Sequence, residues 1–196
     1  MSLRPQLVIL GGPNGAGKTA AAPRLLRGSL HVSHFVNADV IARGLSGFDP
    51  DAAALDAGQV MLCRMRELAA ARTDFAFEST LASRSLAPWI ADCATAGYQV
   101  HILFLWLPSA EMAIARVESR VRRGGHGVPE ATIRRRYQRG IKNFFGIYRA
   151  AATTWHVYDH QGLTPRLVAA GRRAEVVRVA DAACWEVICR YADGPK

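Results

Sequence analysis

The sequence predicts an α/β fold in which a mostly parallel sheet is flanked by helices in three layers. Short apolar runs alternate along the chain with longer helix-compatible stretches, and this alternation is typical of a parallel sheet covered by helices. A glycine-rich segment that ends in Lys18 and Thr19 follows the first apolar run directly. Ligands of such folds gather at the carboxyl ends of the strands, so residues that follow strand-like runs are the candidates for a functional site.

The segment from Leu7 to Thr19 contains the most informative motif. Four apolar residues (7–10) predict a buried strand. Gly12, four intervening residues and then Gly17-Lys18-Thr19 match the phosphate-binding loop, whose backbone amides and following helix bind phosphate oxygens. Lys18 is expected to reach the β- and γ-phosphates, and the Thr19 hydroxyl to bind Mg²⁺. The predicted ATP-binding residues are Gly12, Pro13, Asn14, Gly15, Ala16, Gly17, Lys18 and Thr19.

A glycine-rich turn with a chance lysine is the alternative to this interpretation. The motif, however, stands between a strand-like run and a helix-compatible stretch (20–27), which is the context that confirms it. Lysine is also scarce, since the chain has only Lys18, Lys142 and Lys196 among its 25 basic residues. Nucleotide phosphate binding is therefore favoured.

The other elements follow from periodicity and turn residues. Strands are predicted at 34–36, 75–77, 98–107 and 155–158, and a hairpin at 166–170 and 175–179. Apolar spacing predicts helices after Asp39, at 51–72, 85–96 and 182–191. Ser109 is a suitable first residue for a helix that runs to about 123, and Pro129 suits the first turn of the helix after the glycine-rich break at 124–127.

Composition is that of an ordinary globular protein. The chain has 196 residues, half of them apolar, which suits one domain (1–196) with a real core. Its four cysteines have no metal-ligand spacing and are predicted to be small buried hydrophobes in a reducing cytosol. The longest apolar run, 102–107, is strand-sized, and no signal peptide is recognisable, so the expected location is cytoplasmic with no membrane contact.

The positive charge is concentrated in one segment. Residues 116–149 contain ten Arg or Lys against Glu118 and Glu130, a local net charge of +8 in a chain of net charge +9. Arg116, Arg120 and Arg123 share one helical face, and the glycine-rich break permits hinge motion. The segment is predicted to be an arginine-rich helical lid that neutralises charge on a transferred phosphoryl group. A solvated basic face is the alternative, and spacing does not tell which arginine is catalytic.

Three acidic residues directly follow strand-like runs: Asp39, Glu78 and Asp159. Residues 98–107 end without an aspartate, so the acid that helps bind Mg²⁺ in many phosphate-loop enzymes has to come from elsewhere. Asp39 and Glu78 are expected beside the γ-phosphate, where a carboxylate can accept the proton of an acceptor hydroxyl. The alternatives are that Asp39 only caps a helix and that Glu78 is a surface residue.

Several motifs together resemble the zeta toxin family of small P-loop kinases. They run in the same order from about residue 7 to 171 and are the phosphate loop, Val36-Asn-Ala-Asp39, Phe77-Glu-Ser-Thr80, Arg116-Val-Glu-Ser-Arg120-Val, Gly124-Gly-His126-Gly-Val-Pro129, Ile133-Arg-Arg-Arg-Tyr137 up to Lys142-Asn143, and Val157-Tyr-Asp159. The chain departs from the family at His126, where a second lid arginine is expected, and at Gly140 and Asp159-His160-Gln161.

This resemblance implies an ATP- and Mg²⁺-dependent kinase with a core like that of nucleoside monophosphate kinases. Family toxins phosphorylate UDP-N-acetylglucosamine, so the implied acceptor is a small molecule with a hydroxyl group, with a nucleotide sugar the first candidate and an antitoxin protein a further expected partner. Asp39 is implied as the base. Glu78, Thr80 and His126 are implied on the substrate side, and Arg116 or Arg120 as the lid arginine.

Two other classes of function stay open at the level of sequence. The chain can be an ATP-bound switch or a toxin–antitoxin component with little transferase activity. It can also be a nucleic-acid or nucleoside kinase, an interpretation drawn from the basic segment. That last class is least favoured, because Tyr137, Phe144 and Phe145 are the few aromatic residues among these arginines.

Overall fold

A computed structural model describes residues 4–193 and contains one seven-stranded sheet. The strands are β1 (Gln6–Gly11), β2 (His34–Val36), β3 (Phe75–Ser79), β4 (Gln99–Trp106), β5 (Thr154–Asp159), β6 (Arg166–Arg172) and β7 (Glu175–Val179). Their order is β2-β3-β1-β4-β5-β6-β7, with parallel pairing from β2 to β5 and antiparallel pairing from β5 to β7. The predicted, mostly parallel α/β fold is confirmed.

Helices connect the parallel strands and cover the sheet. They are α1 (Lys18–Ala22), α2 (Ala38–Leu45), α3 (Ala54–Ala70), α4 (Leu86–Thr95), α5 (Ala110–Val121), α6 (Glu130–Asn143), α7 (Arg149–Ala151) and α8 (Ala182–Asp193), with π-helical turns at Pro23–Ser29 and Phe144–Tyr148. None of the helices in the described range is long and apolar enough to cross a membrane.

The core lies on both faces of the sheet because successive side chains of β1 point to opposite sides. Leu7 and Ile9 pack in the larger cluster, and Val8 and Leu10 in the smaller cluster beneath α1. In the larger cluster Trp155 of β5 stacks on Trp185 of α8, with 5.9 Å between ring centroids. The segment that follows β1 therefore starts from a central strand whose residues 7–11 are all buried.

Three local expectations are corrected. The first helix begins at Lys18, two residues earlier than predicted, and continues as a π-helical turn rather than as one α-helix. Asp39 does not cap α2, because the Asn37 side chain accepts the hydrogen bond from the Val40 amide. Cys63 is exposed, whereas Cys93 is buried as predicted, because Cys63 lies on the solvent side of α3.

Candidate active site

The phosphate loop lies at the carboxyl end of β1 and depends on glycine for its shape. Gly12, Gly15 and Gly17 have φ angles of +137°, +75° and +76°, a region that other residues rarely adopt. A Cβ atom on Gly12 would also stand 2.2 Å from the Leu105 carbonyl oxygen of β4. The loop thus packs closely on the sheet in a conformation that side chains would prevent.

Lys18 is buried at the base of this loop. Its side chain is 5% exposed, and its Nζ donates to the carbonyl oxygens of Gly12 and Pro13, both at 2.8 Å. Nζ also lies 3.6 Å from Glu78 Oε1. Burial lowers the pKa of Lys18, and the carboxylates of Glu78 and Asp39 oppose that effect by raising it. The ammonium is thus held among opposite charges at the floor of the site.

Glu78 is the carboxylate around which the site is assembled. Parallel pairing of β1 with β3 sets Glu78 beside Leu10, two residues before the loop begins at Gly12. Its Oε2 accepts hydrogen bonds from the Thr19 hydroxyl and from Asn37 Nδ2, each at 2.7 Å. Glu78 is therefore not a surface residue.

Thr19 and Glu78 supply the kind of oxygen ligands that Mg²⁺ prefers. The Thr19 hydroxyl oxygen and the Glu78 carboxylate oxygen lie 2.7 Å apart, and both are hard oxygen ligands for a metal ion. No group of three or more His, Cys, Asp or Glu side chains comes together between residues 4 and 193, and Mg²⁺ commonly uses one or two protein ligands together with water and phosphate oxygens. The two residues fit a magnesium ion that is bound jointly by protein and nucleotide.

Asp39 lies in the first turn of α2, two residues after the cap Asn37. Its side chain is exposed, and its charge is close enough to Lys18 to raise the pKa of that ammonium. Asp39 thus faces the same edge of the sheet as the phosphate loop. An exposed carboxylate at this position is accessible to an incoming hydroxyl group.

Arg120, a half-buried residue of α5, brings two buried guanidinium nitrogen atoms to the site. Its Nε and Nη2 atoms are buried and have no hydrogen-bond partner among the described residues. The charge of Arg120 further lowers the pKa of Lys18, after the dominant effect of burial. Gly125 closes over its stem, because a Cβ atom there would lie 2.5 Å from Arg120 Cγ. Arg123, by contrast, is exposed and donates to Ser119.

Arg116 has a different set of contacts. Its Nη1 and Nη2 donate to the carbonyl oxygens of His160 and Gln161 at 2.8 and 2.6 Å. Its guanidinium therefore holds the segment after β5 in place. In Arg120, by contrast, Nε and Nη2 have no partner among the described residues. Asp159, the last residue of β5, accepts hydrogen bonds from Gln161 and Arg166 with its carboxylate oxygens.

The remaining predicted residues, Thr80 and His126, have contacts outside the phosphate loop. Thr80 follows β3, and its carbonyl oxygen would lie 2.4 Å from a Cβ atom on Gly140 of α6. His126 pairs through Nδ1 with Asp51, which joins the glycine-rich break of the lid to the segment before α3. His126 is thus tied to an exposed turn residue rather than to the core.

Two site residues were missed by sequence reasoning about function. Asn37 orients Glu78, and its place between a strand and an acidic helix start is the signal that would have identified it. His160 Nδ1 lies 2.6 Å from the Ala16 carbonyl oxygen of the phosphate loop. No local pattern indicates that second contact, because the two residues are 144 positions apart.

Comparison with known proteins identifies a family for this chain. The family model described as an AAA domain matches residues 7–140. An uncharacterized protein of Haemophilus influenzae is 28% identical over 128 residues, which are 64% of this chain and 88% of that protein.

Solved structures share the fold at low sequence identity. AvrRxo1-ORF1:-ORF2, crystallised with ATP, superposes with a TM-score of 0.74 at 14% identity, and the match covers 97% of this chain and 65% of the other. A structure of the PezAT toxin–antitoxin system of Streptococcus pneumoniae superposes with a TM-score of 0.62 at 15% identity. That match covers 100% of this chain and 81% of the other. A gluconokinase from Sinorhizobium meliloti superposes with a TM-score of 0.52 at 14% identity, and the match covers 81% of this chain and 84% of the other.

The present chain therefore spans 65% of the length of the AvrRxo1 chain that it matches. At these identities the likenesses demonstrate the fold. They confirm the resemblance to zeta toxins at that level, because the match to a toxin–antitoxin protein covers 100% of this chain.

Proposed function

Because the chain belongs to the AAA domain family, we propose that it is a kinase that transfers the γ-phosphoryl group of ATP to a hydroxyl group of a small molecule. The observation that carries the proposal is a pair of buried nitrogen atoms without a partner among the described residues, Nε and Nη2 of Arg120, whose charge acts on Lys18. Nε and Nη2 of a guanidinium donate in parallel and match two oxygens of a phosphoryl group. An ATP-bound switch transfers no phosphoryl group, so it does not need these two donors at the γ-phosphate.

The loop residues bind the triphosphate in this proposal. Backbone amides of the loop donate to phosphate oxygens, and Lys18 donates to the β- and γ-phosphates. Thr19 and Glu78 would hold Mg²⁺, which supplies positive charge to the β- and γ-phosphate oxygens when it is bound. Asn37 keeps the Glu78 carboxylate turned toward Thr19 through its 2.7 Å hydrogen bond.

Asp39 acts on the acceptor. Its carboxylate accepts the proton of the acceptor hydroxyl as that oxygen bonds to the γ-phosphorus, and the bond between this phosphorus and the β–γ bridging oxygen of ATP breaks, so ADP leaves. Arg120 neutralises the negative charge that spreads over the phosphoryl oxygens in the transition state. Thr80 and His126 are proposed to contact the acceptor, as the motif resemblance implies.

The acceptor is proposed to be a nucleotide sugar, and UDP-N-acetylglucosamine is the first compound to test. The motif resemblance to zeta toxins, which phosphorylate that compound, supports this choice. The chain also shares the fold of a toxin–antitoxin protein. The same likeness supports an antitoxin as a protein partner. The alternative of an ATP-bound switch shares the loop but does not need Asp39 as a base.

Mass spectrometry of the products tests the proposal. The chain is incubated with ATP, Mg²⁺ and a panel of nucleotide sugars, nucleosides and aminoglycosides, and a product heavier by one phosphoryl group is expected from one class. Asp39→Asn should keep ATP affinity and lose transfer, since the amide cannot accept the proton. ATP binding without any phosphorylated product would favour the switch, and near-normal transfer by Asp39→Asn would remove Asp39 from the mechanism.

A further inference from the structure

The segment after β5 presents one buried imidazole to the phosphate loop. His160 is 7% exposed, and its Nδ1 is 2.6 Å from the Ala16 carbonyl oxygen. A carbonyl oxygen only accepts, so Nδ1 carries the hydrogen and donates. The ring also lies against Gly17, where a Cβ atom would stand 2.8 Å from His160 Cε1. The imidazole therefore touches both residues of the Ala16–Gly17 peptide.

The position of His160 is set by its own backbone as well as by its ring. Its amide donates to the Trp106 carbonyl oxygen at 3.0 Å, and its carbonyl oxygen accepts from Arg116 Nη1 at 2.8 Å. The turn that follows is held by Asp159, whose Oδ1 accepts from the Gln161 amide at 3.0 Å. Strand β4, helix α5 and the turn thus fix the imidazole from three directions.

The geometry of a peptide group converts this contact into an effect on phosphate binding. The peptide between Ala16 and Gly17 is planar, so its C=O and N–H point in opposite directions. Because His160 holds the Ala16 oxygen on its own side, the Gly17 N–H points away from His160. Gly17 directly precedes Lys18 and Thr19, so this amide lies where phosphate oxygens bind.

We infer that His160 is a positioning residue, which orients the Gly17 amide for phosphate binding by donating from Nδ1 to the Ala16 carbonyl oxygen. The inference rests on the proposed function only in taking the loop to bind a nucleoside di- or triphosphate. Arg116 takes part indirectly, because it holds the His160 carbonyl. His160 itself does not touch the transferred group.

Two amide variants distinguish this role from general packing. The Asn side chain can place its Nδ2 donor at the position of Nδ1, whereas the longer Gln side chain places its amide near Nε2, away from Ala16. His160→Asn should bind ADP within about threefold of the unmodified chain. His160→Gln and His160→Leu should each raise the Kd for ADP by roughly tenfold, the effect of one lost hydrogen bond.

Calorimetric titration with ADP measures these constants, and thermal unfolding without nucleotide shows whether each variant is folded. His160→Gln carries the test if His160→Leu fails to fold. Equal ADP affinity of the Asn and Gln variants, or a Leu variant that binds like the unmodified chain, would overturn the inference. ADP binding needs no transfer, so a chain that binds ADP but phosphorylates nothing contradicts the proposed kinase and leaves this test intact.

In an active enzyme the same variants should change one kinetic constant selectively. His160→Gln should raise KM for ATP by roughly tenfold and leave KM for the acceptor within about twofold, because the acceptor does not use the Gly17 amide. A purely structural role would change both KM values and the stability together, and that outcome would also overturn the inference.

Discussion

At the scale of single residues, the site depends on which polar groups are paired. Glu78 receives two hydrogen bonds at 2.7 Å, from Thr19 and Asn37, and lies 3.6 Å from Lys18 Nζ. Arg120 is the opposite case, since two of its nitrogen atoms are buried without a partner in the described part of the chain. Leaving a buried charged donor unpaired is costly in free energy. Such a group is retained where a ligand supplies its acceptor.

Arg120→Gln is expected to lower kcat by roughly 100-fold or more, because one preorganised donor to the transition state is lost. Arg123→Gln is the matched control on the same helix, since Arg123 is exposed and donates only within its own turn to Ser119. Its kcat should stay within about twofold of that of the unmodified chain. Steady-state kinetics with the acceptor found by mass spectrometry makes the comparison. An equal loss of kcat in the two variants would show that the positive charge of α5 matters, rather than the two buried nitrogen atoms of Arg120.

At the scale of elements, the arginine-rich segment that was predicted to form a lid is attached to the core through α6, whose Ile133, Tyr137 and Ile141 are buried. Asn143 Nδ2 donates to the carbonyl oxygens of Leu81 and Ala82, and Gly140 lies against the Thr80 carbonyl oxygen. Both contacts are made to the segment that follows β3, whose last residues include Glu78. Helix α6 is thus packed directly against the residues that follow β3, close to Glu78.

Gly140→Ala should destabilise the protein by about 1–3 kcal/mol through overpacking. A Cβ atom at this position would be 2.4 Å from the Thr80 carbonyl oxygen, so α6 or the segment after β3 has to move. Gly146→Ala is the control, because no atom lies within 4 Å of its Cβ position, and alanine favours a helix over glycine. Urea unfolding compares the two. A Gly140→Ala variant as stable as Gly146→Ala would mean that this contact is not tight.

At the scale of the whole molecule, the sheet contains two half-buried imidazoles on neighbouring strands. His101 Nδ1 lies 2.7 Å from Thr154 Oγ1, and His156 stacks on Tyr158 with 6.2 Å between ring centroids. Burial lowers the pKa of both histidines, and for His101 the neighbouring His156 lowers it further. Both side chains are therefore more acidic in the folded state than in the unfolded chain.

Stability should consequently fall as pH drops through about 6.5, the ordinary pKa of histidine. In that range the unfolded chain binds more protons than the folded protein, so protonation favours unfolding. Melting temperatures between about pH 7.5 and pH 5.5 should decrease less in His156→Phe than in the unmodified chain. His34→Phe is the control, because His34 is exposed. Parallel pH curves for all three proteins would contradict this role of His156.

The amino-acid sequence by itself determined the order of the elements and the phosphate loop. Both are local properties: alternation of apolar runs predicts strands and helices, and Gly12 and Gly17 stand where φ is positive. The sequence also predicted that Asp39 and Glu78 lie near the phosphate loop, because the carboxyl ends of parallel strands meet at one edge of the sheet.

Only the tertiary structure decided how these groups pair. The motif resemblance put Glu78 on the substrate side, whereas the fold sets it against Thr19 at 2.7 Å. Arg116 and Arg120 are equivalent by spacing, yet one binds the carbonyl oxygens of residues 160 and 161 and the other stays unpaired. His160 meets the loop from 144 residues away. Such contacts depend on strand order and side-chain direction, which no local pattern of residues contains.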